Sequence, residues 1–184
     1  MKVIGFAGYS GSGKTCLVES LVRLLCEQGQ SVSVVKHAHH DFDVDQPGKD
    51  SWRHRKAGAS EVVLASGRRL VLMREFGEPR DLDVHEMIAE LDPGVDWVLV
   101  EGFKHADLPK IEIWRAQAER ARAGKSLEPL YPHDPHVLAV ATDAVQALPS
   151  PPLQPLLDLN DPARVLQWLL EQAPRLDYRP PAGR

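Results

Sequence analysis

One octapeptide constrains the fold of this chain more than any other feature of its sequence. Residues 8–15 read Gly-Tyr-Ser-Gly-Ser-Gly-Lys-Thr, which matches the pattern G-x-x-x-x-G-K-[ST] at every fixed position. A short apolar run at residues 3–7 precedes the motif, and a helical pattern with a wide apolar stripe follows it. A strand, a glycine loop and a helix in this order predict a phosphate-binding loop at the start of an α/β domain.

The residue types of this loop suit an anion. Glycine leaves room for the backbone to bend around a phosphate, and successive N–H groups then point inward beside the positive end of the following helix. Lys14 is predicted to reach the β- and γ-phosphates of a nucleotide, and the Thr15 hydroxyl to bind Mg²⁺. The predicted nucleotide contacts are Gly8, Ser10, Gly11, Ser12, Gly13, Lys14, Thr15 and Cys16.

Two acidic residues follow apolar strand patterns, where ligands of α/β sheets collect. Glu101 ends the run at residues 97–100, at a place where aspartate is the common residue. We expect Glu101 to hold the metal or a water and to act with Lys14 and Thr15 in catalysis; a solvated charge is the alternative. Asp143 follows the run at residues 137–141 and is placed to accept from guanine N1 and N2, or else to cap a turn.

The remaining pattern predicts an α/β fold, a P-loop NTPase core with a mainly parallel sheet flanked by helices, plus a small β-hairpin appendage. The appendage comprises two strand patterns within residues 60–76, joined at residues 66–68. Residues 137–141 are the last predicted core strand, and a final helix begins at Asp161 and Pro162. One domain is expected at residues 1–174, with a loose tail at residues 175–184.

Composition excludes several classes of function. The 184 residues carry a formal charge of -4, whereas a protein that coats nucleic acid needs a strong basic excess. No run of about 18 apolar residues exists, so we expect no membrane-spanning helix. Cys16 and Cys26 lie about 15 Å apart on one predicted helix, which is too far for a disulfide. A chain without a disulfide suits the reducing cytoplasm, which is the expected location.

Three further segments carry a resemblance to a known family. They are residues 36–51 (KHAHHDFDVDQPGKDS), 53–59 (RHRKAGA) and 100–104 (VEGFK). Together with the phosphate loop and the Ala-Thr-Asp strand end at residues 141–143, they resemble the molybdopterin-guanine dinucleotide biosynthesis protein B (MobB) family. The segments occur in that family's order and cover nearly the whole predicted domain.

The resemblance implies a protein that binds GTP and hydrolyses it weakly. It also implies a partner, the guanylyltransferase MobA, which joins GMP to molybdopterin to form the guanine dinucleotide of the molybdenum cofactor. A homodimer is implied as well, and the β appendage at residues 60–76 is expected to help form it.

The histidines and acids after the second strand admit several interpretations. They offer ligands for zinc or a similar ion, although their spacing matches no standard closed site. The alternatives are a role around the γ-phosphate or Mg²⁺ and a solvated loop. We expect Asp45 to order the metal of the nucleotide site. The residues concerned are His37, His39, His40, Asp41, Asp43 and Asp45.

A compact basic group follows in this otherwise acidic chain. Arginine suits bidentate contact with phosphate, so Arg53 and Arg55 are expected, with Lys104, to contact nucleotide phosphate or molybdopterin. The alternative for the two arginines is a solvated helix face.

Two classes of function remain after these observations. The first is a GTP-binding accessory protein and weak GTPase, because no water-positioning glutamine or arginine finger is assigned, and such groups raise turnover by about 10³–10⁵. The second is a small-molecule kinase that transfers the γ-phosphoryl group to a nucleoside or cofactor precursor. A kinase needs an arginine-rich lid, for which the sequence offers Arg115, Arg120, Arg122 and Lys125.

Overall fold

The computed structural model describes residues 1–38, 42–115 and 127–181. The chain divides into two compact units, which are described separately below: the first is Met1–His37 with Asp83–Arg184, and the second is Ala38–Leu82. In chain order the elements are β1 (Lys2–Ala7), α1 (Lys14–Glu27), β2 (Val32–Lys36), α2 (Asp50–Lys56), β3 (Glu61–Ser66), β4 (Arg69–Arg74), α3 (Val84–Ala89), β5 (Trp97–Glu101), β6 (Lys110–Trp114), β7 (Val137–Thr142), β8 (Leu156–Asp158) and α4 (Pro162–Gln172). None of the helices in the described ranges is long and apolar enough to cross a bilayer.

The first unit is built on a six-stranded sheet in the order β2-β5-β1-β6-β7-β8. Every neighbouring pair is parallel, which confirms the predicted fold class. The strands therefore end on one side of the sheet. We call the side formed by the last residues of β1, β2, β5, β6 and β7 the carboxyl edge, and the opposite side the amino edge. Ligand sites of open parallel sheets lie beyond the carboxyl edge.

The helices bury their apolar stripes on both faces of this sheet. On one face, α1 and α4 pack on a core that includes Ile4 and Phe6. On the other face, α3 packs on a core that includes Val3. This division follows from the two-residue period of a strand, which sends successive side chains to opposite faces. Leu21 of α1 is 0% exposed, and burial of such a side chain contributes about 1.5–3 kcal/mol.

Two sequence predictions for the first unit are wrong. Residues 137–141 are not the last core strand, because β8 follows and pairs with β7; it escaped prediction because it has only three residues. The tail is not loose from residue 175. Leu176 is buried, and its carbonyl oxygen accepts from Val3 N at 2.9 Å. Tyr178 N donates to Met1 O at 3.1 Å, so backbone hydrogen bonds fix the chain as far as Tyr178.

The second unit contains α2 and the antiparallel hairpin of β3 and β4, which confirms the predicted hairpin. It is larger than the predicted appendage, because it begins at Ala38 and ends at Leu82. Arg55 of α2 organises the unit: it forms ion pairs with Asp43, Asp45 and Glu75 at 2.8, 3.2 and 2.7 Å.

One face of the hairpin is apolar and exposed. Val63 pairs with Leu72, and Ala65 pairs with Leu70, so the four side chains share one face. Val63 is 59% exposed and Leu70 is 68% exposed.

Candidate nucleotide-binding site

The phosphate loop predicted from the sequence lies at the carboxyl edge, between the end of β1 and Lys14, the first residue of α1. Three of its glycines have a positive φ: 145° at Gly8, 81° at Gly11 and 97° at Gly13. A Cβ on Gly8 would also come within 2.4 Å of the Ile113 carbonyl oxygen. The loop therefore needs glycine both for its conformation and for space.

Two polar side chains of the loop fit a phosphate. The Lys14 ammonium donates to the carbonyl oxygens of Gly8 and Tyr9 at 2.9 and 2.7 Å, so its charge is held at the loop. The Ser12 hydroxyl is buried and has no hydrogen-bond partner among the residues that the structure describes. A buried polar group without a partner costs about 1–3 kcal/mol. A phosphate oxygen bound in the loop would supply the missing partner.

A second group of polar atoms lies where β2 and β5 end beside the loop. The Thr15 hydroxyl donates to Glu101 Oε1 at 2.6 Å, and Glu101 is only 7% exposed. The Lys36 ammonium lies 3.3 Å from the same carboxylate oxygen and 3.4 Å from Thr15 Oγ1. The Lys36 ammonium thus lies beside both the Glu101 and the Thr15 oxygen, which shows that these two oxygens can bind a cation. Hydroxyl and carboxylate oxygens are also the ligands that Mg²⁺ prefers.

The backbone after Glu101 is strained. Gly102 has a φ of 92° and Phe103 a φ of 45°, which is rare for a residue with a side chain. A Cβ on Gly102 would lie 2.9 Å from the Cβ of His37. The His37 and Phe103 rings pack with their centroids 4.6 Å apart, and His37 N donates to Glu101 O at 2.9 Å. These contacts hold the turn that fixes Glu101 in place.

The opposite side of the loop carries a second charged pair. Arg115 directly follows β6, and Asp143 directly follows β7. The Arg115 Nε atom lies 3.8 Å from Asp143 Oδ2. A Cβ on Gly13 would lie 3.2 Å from Arg115 Nη2, so the guanidinium sits against the start of α1.

Lys104 also lies beside the phosphate loop. Its ammonium is 5.3 Å from the centroid of the Tyr9 ring, a distance suited to a cation–π contact. Tyr9 packs edge-on against Trp114, with ring centroids 6.2 Å apart. Lys104, which was predicted to contact nucleotide phosphate or molybdopterin, thus lies beside the phosphate loop.

Comparison with known proteins decides the family. Residues 3–143 match the sequence model of MobB, described as molybdopterin guanine dinucleotide synthesis protein B. This chain belongs to the MobB family. The resemblance found in the sequence is therefore confirmed.

Two relatives and a solved structure agree with this assignment. The molybdopterin-guanine dinucleotide biosynthesis adapter protein of Escherichia coli K12 is 44% identical over 114 residues, which are 61% of this chain and 65% of that protein. The adapter protein of the same name from Haemophilus influenzae is 46% identical over 116 residues, or 62% and 64% of the two chains. The matches thus span just under two thirds of these relatives. The crystal structure of Bacillus subtilis MobB is similar with a TM-score of 0.67 at 25% identity, covering 94% of this chain and 98% of that one.

The first unit of this MobB-family protein brings most of the predicted site residues together. The loop residues, Glu101 and Asp143 all lie at its carboxyl edge, and Lys104 lies beside the loop. Cys16 is an exposed residue in the first turn of α1. Sequence reasoning missed two residues at this edge, Lys36 as a partner of Glu101 and Arg115 as a partner of Asp143. Lys36 is the last residue of β2, and Arg115 directly follows β6. Their positions at strand ends are the signal that could have identified them.

Three predicted residues lie in the second unit, and its contacts argue against two of the roles. Asp45 accepts from Ser51 at 2.9 Å and from Arg55 at 3.2 Å, and its side chain is 7% exposed, so both oxygens are engaged away from a metal. Arg55 is 12% exposed among three carboxylates, which leaves it poorly placed for phosphate. The hydrogen bonds from the Asp45 backbone and from Arg55 lower the pKa of Asp43. Arg53 is exposed and lies 3.9 Å from Asp50.

Part of the predicted metal cluster and of the predicted lid lies outside the described residues. This applies to His39, His40, Asp41, Arg120, Arg122 and Lys125. Within the described ranges, no group of three or more histidine, cysteine or acidic side chains is arranged to hold a metal ion.

Proposed function

We propose that this protein is a GTP-binding, slowly GTP-hydrolysing adapter of molybdopterin-guanine dinucleotide biosynthesis. The observation that carries the proposal is the hydrogen bond of 2.6 Å between Thr15 and Glu101 beside the phosphate loop. It brings the magnesium-binding position of a P-loop next to a strand-end carboxylate, which is the arrangement that nucleotide and metal binding requires. The role in biosynthesis is supported by the family and by the adapter names of the relatives.

The phosphates, the metal ion and the base each have a candidate partner at the carboxyl edge. The loop N–H groups, Lys14 and Ser12 would bind the phosphates, and Thr15 with Glu101 would hold Mg²⁺. When bound, the ion neutralises phosphate charge and orients the phosphates. Asp143 would accept from the guanine N1 and N2 donors and so favour GTP over ATP.

Hydrolysis is expected to be slow. Among the described residues, the Lys36 ammonium contacts both Thr15 and Glu101, and no glutamine forms a hydrogen bond with either of them. The groups that accelerate hydrolysis by about 10³–10⁵ elsewhere are thus absent from this side of the described site. A partner can supply them, and a MobA-type guanylyltransferase that transfers GMP to molybdopterin is the partner we propose.

A homodimer through the hairpin is part of the proposal. The face that carries Val63, Leu70 and Leu72 is apolar and exposed, and exposed apolar patches of this kind mark interaction surfaces. A Leu70→Glu variant should shift the protein from dimer to monomer in light scattering. An unchanged mass of the variant would remove the hairpin from the interface.

Calorimetric titration tests the nucleotide proposal. GTP is expected to bind in the presence of Mg²⁺, more weakly without it, and more tightly than ATP. The absence of heat with both nucleotides would refute it. The kinase alternative is not favoured by the family, and it makes a different product: a phosphorylated acceptor from GTP and molybdopterin or a nucleoside, rather than free phosphate. Detection of that acceptor would replace the adapter proposal.

A further inference from the structure

Arg115 has an unusual environment for an arginine. Its Nε atom is buried and has no hydrogen-bond partner within the described ranges. Among the residues that the structure describes, this guanidinium forms one ion pair, with Asp143, and the distance of 3.8 Å exceeds hydrogen-bond distance. The side chain is 31% exposed and packs against Gly13. Burial of an arginine N–H group without a hydrogen-bond partner costs free energy. A ligand that accepts a hydrogen bond from Arg115 would remove this cost.

The order of the strands places Arg115 between the two ends of the predicted nucleotide. Thr15 and Glu101 lie on the β5 side of β1, and Asp143 lies at the end of β7 on the other side. β6, which ends immediately before Arg115, lies between β1 and β7. A nucleotide with its terminal phosphate at Thr15 and its base at Asp143 therefore has its inner phosphates near Gly13 and Arg115.

We propose that Arg115 binds the α- and β-phosphates of the nucleotide, on the side of the phosphate loop that faces the base. Guanidinium is well suited to this role because its fixed fork of donors matches phosphate oxygens. The inference rests on the proposed nucleotide-binding function and adds a residue to that site. It also separates Arg115 from arginines that act on the γ-phosphate, since its neighbours are Gly13 and Asp143 rather than Glu101.

A different role for Arg115 would leave a different signature. If Arg115 only orients the Asp143 carboxylate, its loss should alter the choice of base. If it binds the inner phosphates, its loss should weaken every nucleotide with two or more phosphates by a similar factor. GTP, GDP and inosine triphosphate distinguish these roles, because the second lacks the γ-phosphate and the third lacks the 2-amino group that Asp143 would accept from.

The test is calorimetric titration of full-length Arg115→Ala with these three nucleotides. The matched control is Arg164→Ala, which removes an exposed guanidinium of α4 that pairs with Asp161, the residue before the helix. We expect Arg115→Ala to weaken GTP, GDP and inosine triphosphate alike by about tenfold to hundredfold, and the control to bind as wild type does. Should the alanine variant fail to fold by circular dichroism, Arg115→Lys is measured, with a common loss of about tenfold expected because the fork is absent.

Three results would overturn the proposal. Unchanged affinities would place Arg115 outside the site. A loss confined to the two triphosphates, with GDP binding unchanged, would move it to the γ-phosphate. A loss of the preference for GTP over inosine triphosphate would make it an orienting residue for Asp143. If wild-type protein binds none of the nucleotides, the proposed function itself fails, and this outcome is distinct from the other three.

Discussion

The two edges of the parallel sheet differ in how far the hydrogen bonds of their polar groups are satisfied. At the amino edge, Ser31 N and Oγ both donate to Asp96 Oδ2, at 2.8 and 2.7 Å, and Asp96 N donates back to Ser31 Oγ at 2.9 Å. Nearby, His85 bonds to Tyr178 at 2.7 Å and to Asp107 at 2.8 Å. These groups are hydrogen-bond partners of one another, and they connect the segments that precede the strands with the C-terminal segment.

At the carboxyl edge, several buried polar atoms lack a hydrogen-bond partner among the described residues. Four buried side-chain polar atoms in the described part of the chain have no hydrogen-bond partner, and three of them belong to residues at this edge: Ser12, Trp114 and Arg115. The edge also holds Phe103, whose backbone is strained by a φ of 45°. Unsatisfied donors and strained backbone cost stability unless something compensates them. We infer that the polar groups of the amino edge stabilise the fold, whereas those of the carboxyl edge bind a ligand.

The largest expected effect comes from removal of the loop lysine. Lys14→Ala should weaken GTP binding by at least about a hundredfold, because the main positive charge on the β- and γ-phosphates is lost. The matched control at the amino edge is Lys2→Ala, whose ammonium lies 3.8 Å from Asp177. Calorimetric titration of both variants measures the difference. Equal affinities for the two variants would contradict the distinction between the edges.

A smaller effect is expected at Thr15, the proposed metal-binding position. Thr15→Val removes the hydroxyl that donates to Glu101 and would remove a ligand of Mg²⁺. We expect the affinity for GTP in Mg²⁺ to fall by about tenfold, to the level measured without the ion, whereas metal-free binding stays constant. The titration without Mg²⁺ is the internal control. A variant that still gains affinity from Mg²⁺ would exclude Thr15 as a ligand.

The sequence predicted those features that depend on local pattern and on the rule for parallel sheets. The glycine motif requires a bent backbone between β1 and α1, and the positive φ of Gly8 and Gly13 agrees with this. Glu101 and Asp143 follow apolar runs, and parallel strands bring such ends to one edge. The sequence alone therefore predicts that these residues lie at the carboxyl edge.

Side-chain pairing across the sheet could not be derived in this way. Lys36 meets Glu101 only because β2 is the neighbour of β5, and Arg115 meets Asp143 only because β6 is the neighbour of β7. Strand order depends on long-range packing that no local pattern specifies. For the same reason Arg55, an apparent phosphate ligand in the sequence, proved to be paired with acids of its own unit.

The predicted base contact should change specificity more than affinity. Asp143→Asn replaces an acceptor oxygen by an amide donor, so it should weaken GTP and improve xanthosine triphosphate, which presents an acceptor in place of the guanine 2-amino group. A shift of about tenfold in the ratio of the two affinities is expected. The ratio is measured by competition with wild type as reference. A constant ratio would leave Asp143 as the turn residue that the sequence also allowed.

The smallest expected effects come from one substitution, serine to alanine, made at each edge. Ser31→Ala should destabilise the protein measurably, because Asp96 loses hydroxyl hydrogen bonds. Ser12→Ala should leave stability unchanged or raise it by up to about 1 kcal/mol, because a buried hydroxyl without a partner is removed. Urea unfolding at pH 7 without nucleotide measures both changes in the free energy of unfolding.

We expect the same two variants to differ in GTP affinity and in how their stability changes at acidic pH. Ser12→Ala should weaken GTP, and Ser31→Ala should not. Hydrogen bonds from the Ser31 backbone and hydroxyl lower the pKa of Asp96 below 3.8, so their stabilisation is present above that value and is lost as the pH falls through the lowered pKa. The cost of Ser31→Ala should therefore shrink in that acidic range, whereas the effect of Ser12→Ala should stay constant. If Ser12→Ala proves as destabilising as Ser31→Ala at pH 7, its hydroxyl has a structural partner, and the carboxyl edge loses one of the marks that distinguish it as a binding edge.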